Sequence, residues 1–135
     1  MTITIGIVAA TFHEEVMEKM LEEALERAEK LDVEVAQVYR CPGSFDIPLF
    51  VKKLLDAGVD GVATLGTLVT GETDHDQVIA FVAAEKLAAL ALEYGKPVAL
   101  GITGPRQTYD QAVARIPRAG DIVEACVQMI RELRK

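Results

Sequence analysis

Apolar and polar positions along the chain switch between a strand-like and a helix-like period. Four short apolar segments are typical of buried strands, and they cover residues 2–9, 33–39, 61–65 and 98–102. The helical period occupies the intervals and the end of the chain, at 14–31, 45–55, 73–94, 108–115 and 121–133. Strands that alternate with helices through short loops form parallel sheets. The pattern therefore predicts a three-layer α/β/α sandwich with a four-stranded parallel sheet, in a single domain over residues 1–135.

Turn and capping signals set the expected ends of these elements. Gly66 and Gly71 bracket a predicted loop, and Thr103-Gly104-Pro105 predicts a turn. Thr73, with Asp76 three residues later, approximates a capping box, so the third helix is expected to begin at Thr73. Asp121 with Glu124 predicts the start of the last helix in the same way.

The third helix is apolar on almost every side. Between Val78 and Tyr94 its only charged residues are Glu85, Lys86 and Glu93. A helix in an outer layer normally has one polar face, so the second apolar face needs a partner. The alternative is a deeply buried helix in a monomer, for which a chain of 135 residues offers little room. We expect a homo-oligomer.

Composition excludes several classes of partner. The net charge of −7 argues against nucleic acid or an anionic membrane. No apolar run of about 18 residues lacks charges, and the first ten residues lack a signal-peptide pattern, so a cytoplasmic location is expected. Cys41 and Cys126 have no metal-ligand spacing and are interpreted as free thiols.

The segment after the third strand carries the most promising chemistry. His75 lies in the first turn of a helix at the carboxyl end of a strand, where ligands of open α/β sheets bind. Helix-start amides favour an anion such as phosphate, although Glu72, Asp74 and Asp76 would repel it without a nearby cation. The same carboxylates would suit His75 to proton transfer. Alternatively, these residues are only helix caps beside an exposed histidine.

Two other loops should reach the same edge of the sheet. Phe12 either stacks on a planar ring or packs as a staple at a helix start. The segment Ser44-Phe45-Asp46 either binds a heterocycle or forms an ordinary helix start capped by Ser44. Arg115 and Arg118 are candidate phosphate ligands or plain surface arginines. The chain has neither a Walker A loop nor a G-x-G-x-x-G run.

Several segments together resemble the lumazine synthase family in its short archaeal form, in register over nearly the whole chain. They are Phe12, the run PGSFDIP at 42–48, LGTLV at 65–69, GETDH at 71–75 and PVALGI at 97–102. The resemblance implies a flavodoxin-like fold assembled as pentamers, often twelve of them in a hollow 60-subunit shell, with active sites between adjacent subunits.

The resemblance also implies a reaction without a metal or redox cofactor. Enzymes of this family are transferases that condense 5-amino-6-(D-ribitylamino)uracil with 3,4-dihydroxy-2-butanone 4-phosphate, giving 6,7-dimethyl-8-ribityllumazine for riboflavin biosynthesis. By resemblance, His75 transfers protons, while Glu72, Thr73 and Arg115 bind the phosphate. The remaining implied residues form the pyrimidine pocket: Phe12, Ser44, Phe45, Asp46, Thr67, Leu68, Val69 and Leu100.

Three positions depart from the usual family pattern. His13 replaces an asparagine, Leu100 replaces a phenylalanine contributed across a subunit interface, and Ile122 stands where many members have a lysine. Two alternative functions remain open at this point. One is an archaeal riboflavin synthase paralogue, which dismutates two lumazines, and the other is a non-catalytic shell or flavin-binding protein.

Overall fold

The computed structural model of the protein describes residues 1–135 and contains five strands and five α-helices. The strands are β1 Thr4–Ala10, β2 Glu34–Cys41, β3 Gly61–Val69, β4 Val98–Ala99 and β5 Ile102–Gln107. The helices are α1 Glu14–Lys30, α2 Ile47–Asp56, α3 His75–Tyr94, α4 Tyr109–Ala114 and α5 Arg118–Leu133. A 3-10 turn, Ser44–Asp46, precedes α2.

All strand pairs in the sheet are parallel. The order is β2-β1-β3-β4, and β5 pairs with the far half of β3 beyond the end of β4. Helices α1 and α5 pack on one face, and α2 and α3 pack on the other. The predicted α/β sandwich with a parallel sheet is confirmed.

The central strand explains why two cores form. Along β1, Ile5 and Ile7 lie in the larger core with α1 and α5, whereas Val8 lies in the smaller core with α2 and α3. All three side chains have no exposed surface. Because successive side chains point to opposite faces, a continuous apolar run is what a strand covered on both faces requires.

The fourth strand differs from the prediction. It is interrupted after Ala99, and the predicted turn at Thr103–Pro105 lies inside β5. The Thr64 hydroxyl donates to the Ala99 carbonyl at 2.7 Å and accepts from the Gly101 N–H at 3.1 Å, which holds the interruption against β3. Since β5 pairs only with β3, Pro105 is tolerated there without an N–H to donate.

The third strand is longer than predicted because its end pairs with β5. The expected loop from Gly66 onward was wrong, because β3 continues to Val69. β5 pairs with Gly66, Thr67 and Val69 and so keeps this segment in the sheet. The register shifts between Thr67 and Val69, which marks a β-bulge near the carboxyl end of β3.

Two helix starts also differ from the expected caps. Helix α3 begins at His75 rather than Thr73, because the Asp76 carboxylate accepts from the Arg106 N–H at 3.1 Å instead of capping. Helix α5 begins at Arg118, three residues before the predicted cap. In that helix Asp121 and Glu124 form salt bridges with Arg27 of α1, at 3.3 and 3.2 Å.

The apolar surface predicted for the third helix is present and uncovered in the protomer. Val78, Phe81 and Leu92 of α3 are 58, 64 and 85% exposed, and Leu49 of α2 is 71% exposed. None of the helices combines the length and apolar character that crossing a bilayer requires.

Candidate active site

The loops after β1, β2 and β3 meet at the carboxyl edge of the sheet. The Thr11 N–H donates to the Cys41 carbonyl at 2.8 Å, and the Phe12 N–H donates to the Pro42 carbonyl at 3.1 Å. These two bonds continue the pairing of β1 with β2 beyond the strands. They join two of the loops that enclose a cleft of about 420 Å³. The cleft is lined by Phe12, His13, Gly43, Ser44, Thr67, Leu68, Val69, Gly71, Thr73, His75, Asp76 and Ile79.

An exposed aromatic ring stands at one wall of the cleft. Phe12 is 67% exposed, and its ring meets the His13 ring edge-on with centroids 4.7 Å apart. His13 precedes α1 in the left-handed conformation, with φ of 65°. Asparagine tolerates this conformation better than most residues, and histidine is also enriched there. Phe12 therefore offers a flat apolar face to a planar ligand.

A buried serine joins the second loop to β3. Ser44 is only 4% exposed, and it lies so close to Gly66 that a Cβ at position 66 would collide with its hydroxyl oxygen. Glycine at 66 is therefore required for the 3-10 turn to approach the strand. Ser44 is not the cap of this turn. The Asp46 carboxylate instead accepts from the Gly43 N–H at 3.0 Å.

The last residue of β2, Cys41, carries an unreactive thiol. Burial raises the pKa of Cys41 to about 11, and the negative charge of Asp46 acts in the same direction. A thiolate is the nucleophilic form of cysteine. Cys41, which is 2% exposed and lies in the smaller core, is therefore a structural residue rather than a group that attacks a substrate. No three side chains of metal-binding type lie close enough together to hold an ion.

The start of α3 forms the opposite wall. His75 is the first residue of the helix and is exposed, and its N–H donates to the Thr73 hydroxyl at 3.3 Å. Asp76 is 7% exposed and is held by the Arg106 N–H, where the chain adopts φ of 62°. One of the three carboxylates expected to repel an anion is thus already engaged by a backbone donor.

Five predicted site residues lie outside this cleft: Phe45, Asp46, Glu72, Leu100 and Arg115. Phe45 is 59% exposed, Asp46 caps its own turn, and Glu72 is exposed. Leu100 and Arg115 line a second cavity of about 200 Å³, together with Arg118. This cavity shares no lining residue with the cleft. One protomer therefore does not bring the predicted phosphate cation to His75.

Sequence reasoning missed several residues of the site. His13, Gly43, Asp76 and Ile79 line the cleft but were not assigned a binding role. A buried glutamine, Gln107, contacts Arg115 and also went unnoticed. A carboxylate at the start of an otherwise apolar helix was a usable signal for Asp76. No local signal identified Gln107, because its burial depends on β5 continuing through the segment predicted to be a turn.

These features define a flavodoxin-like α/β protein with a small-molecule cleft at the carboxyl ends of its parallel strands. A family model described as 6,7-dimethyl-8-ribityllumazine synthase matches residues 2–134. The chain therefore belongs to the lumazine synthase family.

Similar proteins of that name come from several archaea. The chain is 50% identical over 133 residues to the 6,7-dimethyl-8-ribityllumazine synthase of Picrophilus torridus, covering 98% of each chain. It is 48% identical over 134 residues to the protein of the same name from Methanothermobacter thermautotrophicus, covering 98% of this chain and 96% of the relative. The corresponding identity to the Methanopyrus kandleri protein is 46% over 134 residues. The resemblance stated from the motifs is confirmed.

Proposed function

We propose that the protein condenses 5-amino-6-(D-ribitylamino)uracil with 3,4-dihydroxy-2-butanone 4-phosphate to form 6,7-dimethyl-8-ribityllumazine and release phosphate. The observation that carries this proposal is the cleft, which gathers Phe12, Ser44 and His75 in a chain of the lumazine synthase family. The substrate amine attacks the ketone and water leaves to give an imine, phosphate is eliminated, and the ring closes with loss of a second water. These steps need two oriented reactants, an anion site and modest proton transfer.

The cleft suits the pyrimidine substrate. The exposed ring of Phe12 provides a stacking surface for the uracil. The end of β3, from Thr67 to Val69, also lines the cleft, and so does Ser44. Phe45 and Asp46 do not line the cleft of the protomer. In this proposal they contact only the ribityl chain of the substrate.

The start of α3 is the proposed phosphate seat. Amides near Glu72 and Thr73 and the positive end of the helix favour an anion. The bond between Asp76 and the Arg106 N–H reduces the repulsion from that carboxylate. In this proposal His75, the first residue of the helix, exchanges protons with the reacting atoms beside this seat.

Arg115 would complete the phosphate seat from a neighbouring protomer. Arg115 and Leu100 lie together in the second cavity, which supports a site assembled from one protomer's cleft and its neighbour's second cavity. The uncovered residues Val78, Phe81 and Leu92 offer an apolar surface for such an assembly. We expect a closed homo-oligomer, a pentamer or a 60-subunit shell of pentamers.

The test is to mix both substrates with the purified protein and follow lumazine fluorescence and free phosphate together. Equal release of both products, well above the uncatalysed rate, is the expected result. A rate no faster than the background would instead indicate a non-catalytic shell or flavin-binding protein. The riboflavin synthase alternative is not favoured by the family match, and conversion of added lumazine to riboflavin would identify it.

A further inference from the structure

A buried glutamine lies at the centre of a polar network behind the second cavity. Gln107 has no exposed surface, yet it carries an amide that costs free energy to bury without partners. Its Oε1 accepts from the Arg115 Nη1 at 2.6 Å, and its Nε2 donates to the Thr103 hydroxyl at 2.8 Å. The Thr103 and Thr67 hydroxyl oxygens are 3.3 Å apart. Both ends of the amide are therefore satisfied and its orientation is fixed.

We propose that Gln107 is a positioning residue that orients the Arg115 guanidinium toward the phosphate-bearing substrate. This inference rests on the proposed function, in which Arg115 supplies the cation. A guanidinium has five N–H donors, so one bond to Gln107 leaves the others available for phosphate oxygens. Arg115 is half-buried in the second cavity, so the other residues of the cavity wall restrict the directions of these free N–H groups.

The neutral character of Gln107 matters for the same reason. A carboxylate at this position would also hold Arg115, but it would form an ion pair that competes with phosphate for the guanidinium. An amide oxygen fixes the side chain and leaves its whole positive charge for the ligand. Free rotation of a long arginine is costly to restrict at the moment of binding, so fixing it beforehand strengthens binding.

The network also connects the cleft of one proposed site with the second cavity that the same protomer contributes to an adjacent site. Thr67 lines the cleft, whereas Arg115 lines the second cavity, and Thr103 and Gln107 bridge them. Thr103 and Gln107 both lie on β5. The side chain of Arg115, at the carboxyl end of α4, is therefore hydrogen-bonded to the sheet rather than to its own short helix. This explains why a six-residue helix can hold a ligand-binding side chain steady.

Gln107→Met tests the inference because methionine keeps the length and volume of the side chain but removes both polar bonds. We expect the KM for the butanone phosphate to rise about fivefold, the scale of one hydrogen bond, while the KM for the pyrimidine stays unchanged. Arg115→Ala should raise the same KM further. Gln128→Met, at an exposed position of α5, is the matched control and should change neither KM. Equal changes in both KM values, or no change, would overturn the inference.

Thr103→Val provides a second route if Gln107→Met fails to fold, since it removes only the hydroxyl that anchors the Gln107 amide. It should raise the same KM by a smaller factor, and an increase confined to the pyrimidine would contradict the inference.

Calorimetric titration with inorganic phosphate separates this inference from the proposed function. Weaker phosphate binding by Gln107→Met in a protein without synthase activity would uphold the role of Gln107 and reject the reaction. If the wild-type protein is an active synthase and Gln107→Met changes neither phosphate binding nor the KM, the reaction is upheld and the role of Gln107 is rejected.

Discussion

Thr64 is the residue whose loss should most clearly disturb the frame of the site. It has no exposed surface, and its hydroxyl bridges the Ala99 carbonyl at 2.7 Å and the Gly101 N–H at 3.1 Å. The bridge holds the interruption between β4 and β5, where Leu100 lies. Gly101 is held so closely to the Thr64 carbonyl that a Cβ there would collide with it. Thr64→Val keeps the shape of the side chain and removes only the hydroxyl.

The expected cost follows from the two bonds. A buried donor left without its acceptor costs about 1–3 kcal/mol, and the loss of the second bond adds about 1 kcal/mol. We therefore expect Thr64→Val to lower the free energy of unfolding by about 2–4 kcal/mol. For a chain of this size that corresponds to a fall in Tm of roughly 6 °C or more.

Thermal unfolding followed by circular dichroism measures the effect, at one fixed protein concentration because assembly also contributes to stability. Thr70→Val is the matched control, since Thr70 is exposed and its hydroxyl forms no hydrogen bond within the protein. A fall in Tm for Thr64→Val no larger than that of the control would refute the reasoning. It would show that the interruption is held by the backbone alone.

His75→Ala should lower kcat by roughly 10²-fold or less, the usual contribution of general acid–base catalysis, and an unchanged kcat would remove His75 from the mechanism. The thiols give a second prediction, because burial raises the pKa of Cys126 to about 12 and of Cys41 to about 11, from an ordinary 9.0. The folded state retains these protons longer than the unfolded chain, so stability present below pH 9 should be lost as the pH rises toward 11–12. Urea unfolding should show that this loss of stability at high pH is smaller for Cys126→Ala than for the wild type. Equal losses would contradict a raised pKa of Cys126 as their source.

The layers of the fold were predictable because each strand and helix carries its own hydrophobic period. The apolar run of β1 predicts burial on both faces, and the surface of α3 predicts an exposed apolar helix. The interruption of the fourth strand was not predictable in the same way. Gly104 and Pro105 are local turn signals, but pairing of β5 with β3 overrides them.

The site was predictable where its residues lie on loops next to strand ends. Phe12, Ser44 and His75 meet in the cleft as the topology of a parallel sheet requires. The hydrogen bond from the Arg106 N–H to the buried Asp76 carboxylate could not be anticipated, since it joins two segments 30 residues apart. The partnership of Gln107 with Arg115 depends in turn on the correct path of β5.

A mixing experiment tests most directly whether the active site is shared between protomers. His75→Ala and Arg115→Ala chains, co-expressed in equal amounts, would assemble at random into closed oligomers. If His75 and Arg115 of one site come from different protomers, about one quarter of the sites receive both intact residues. With the butanone phosphate kept well below the KM of Arg115→Ala, the mixture should then show about one quarter of wild-type activity, above the average of the two variants. Activity no higher than the average of the two variants would contradict the shared site.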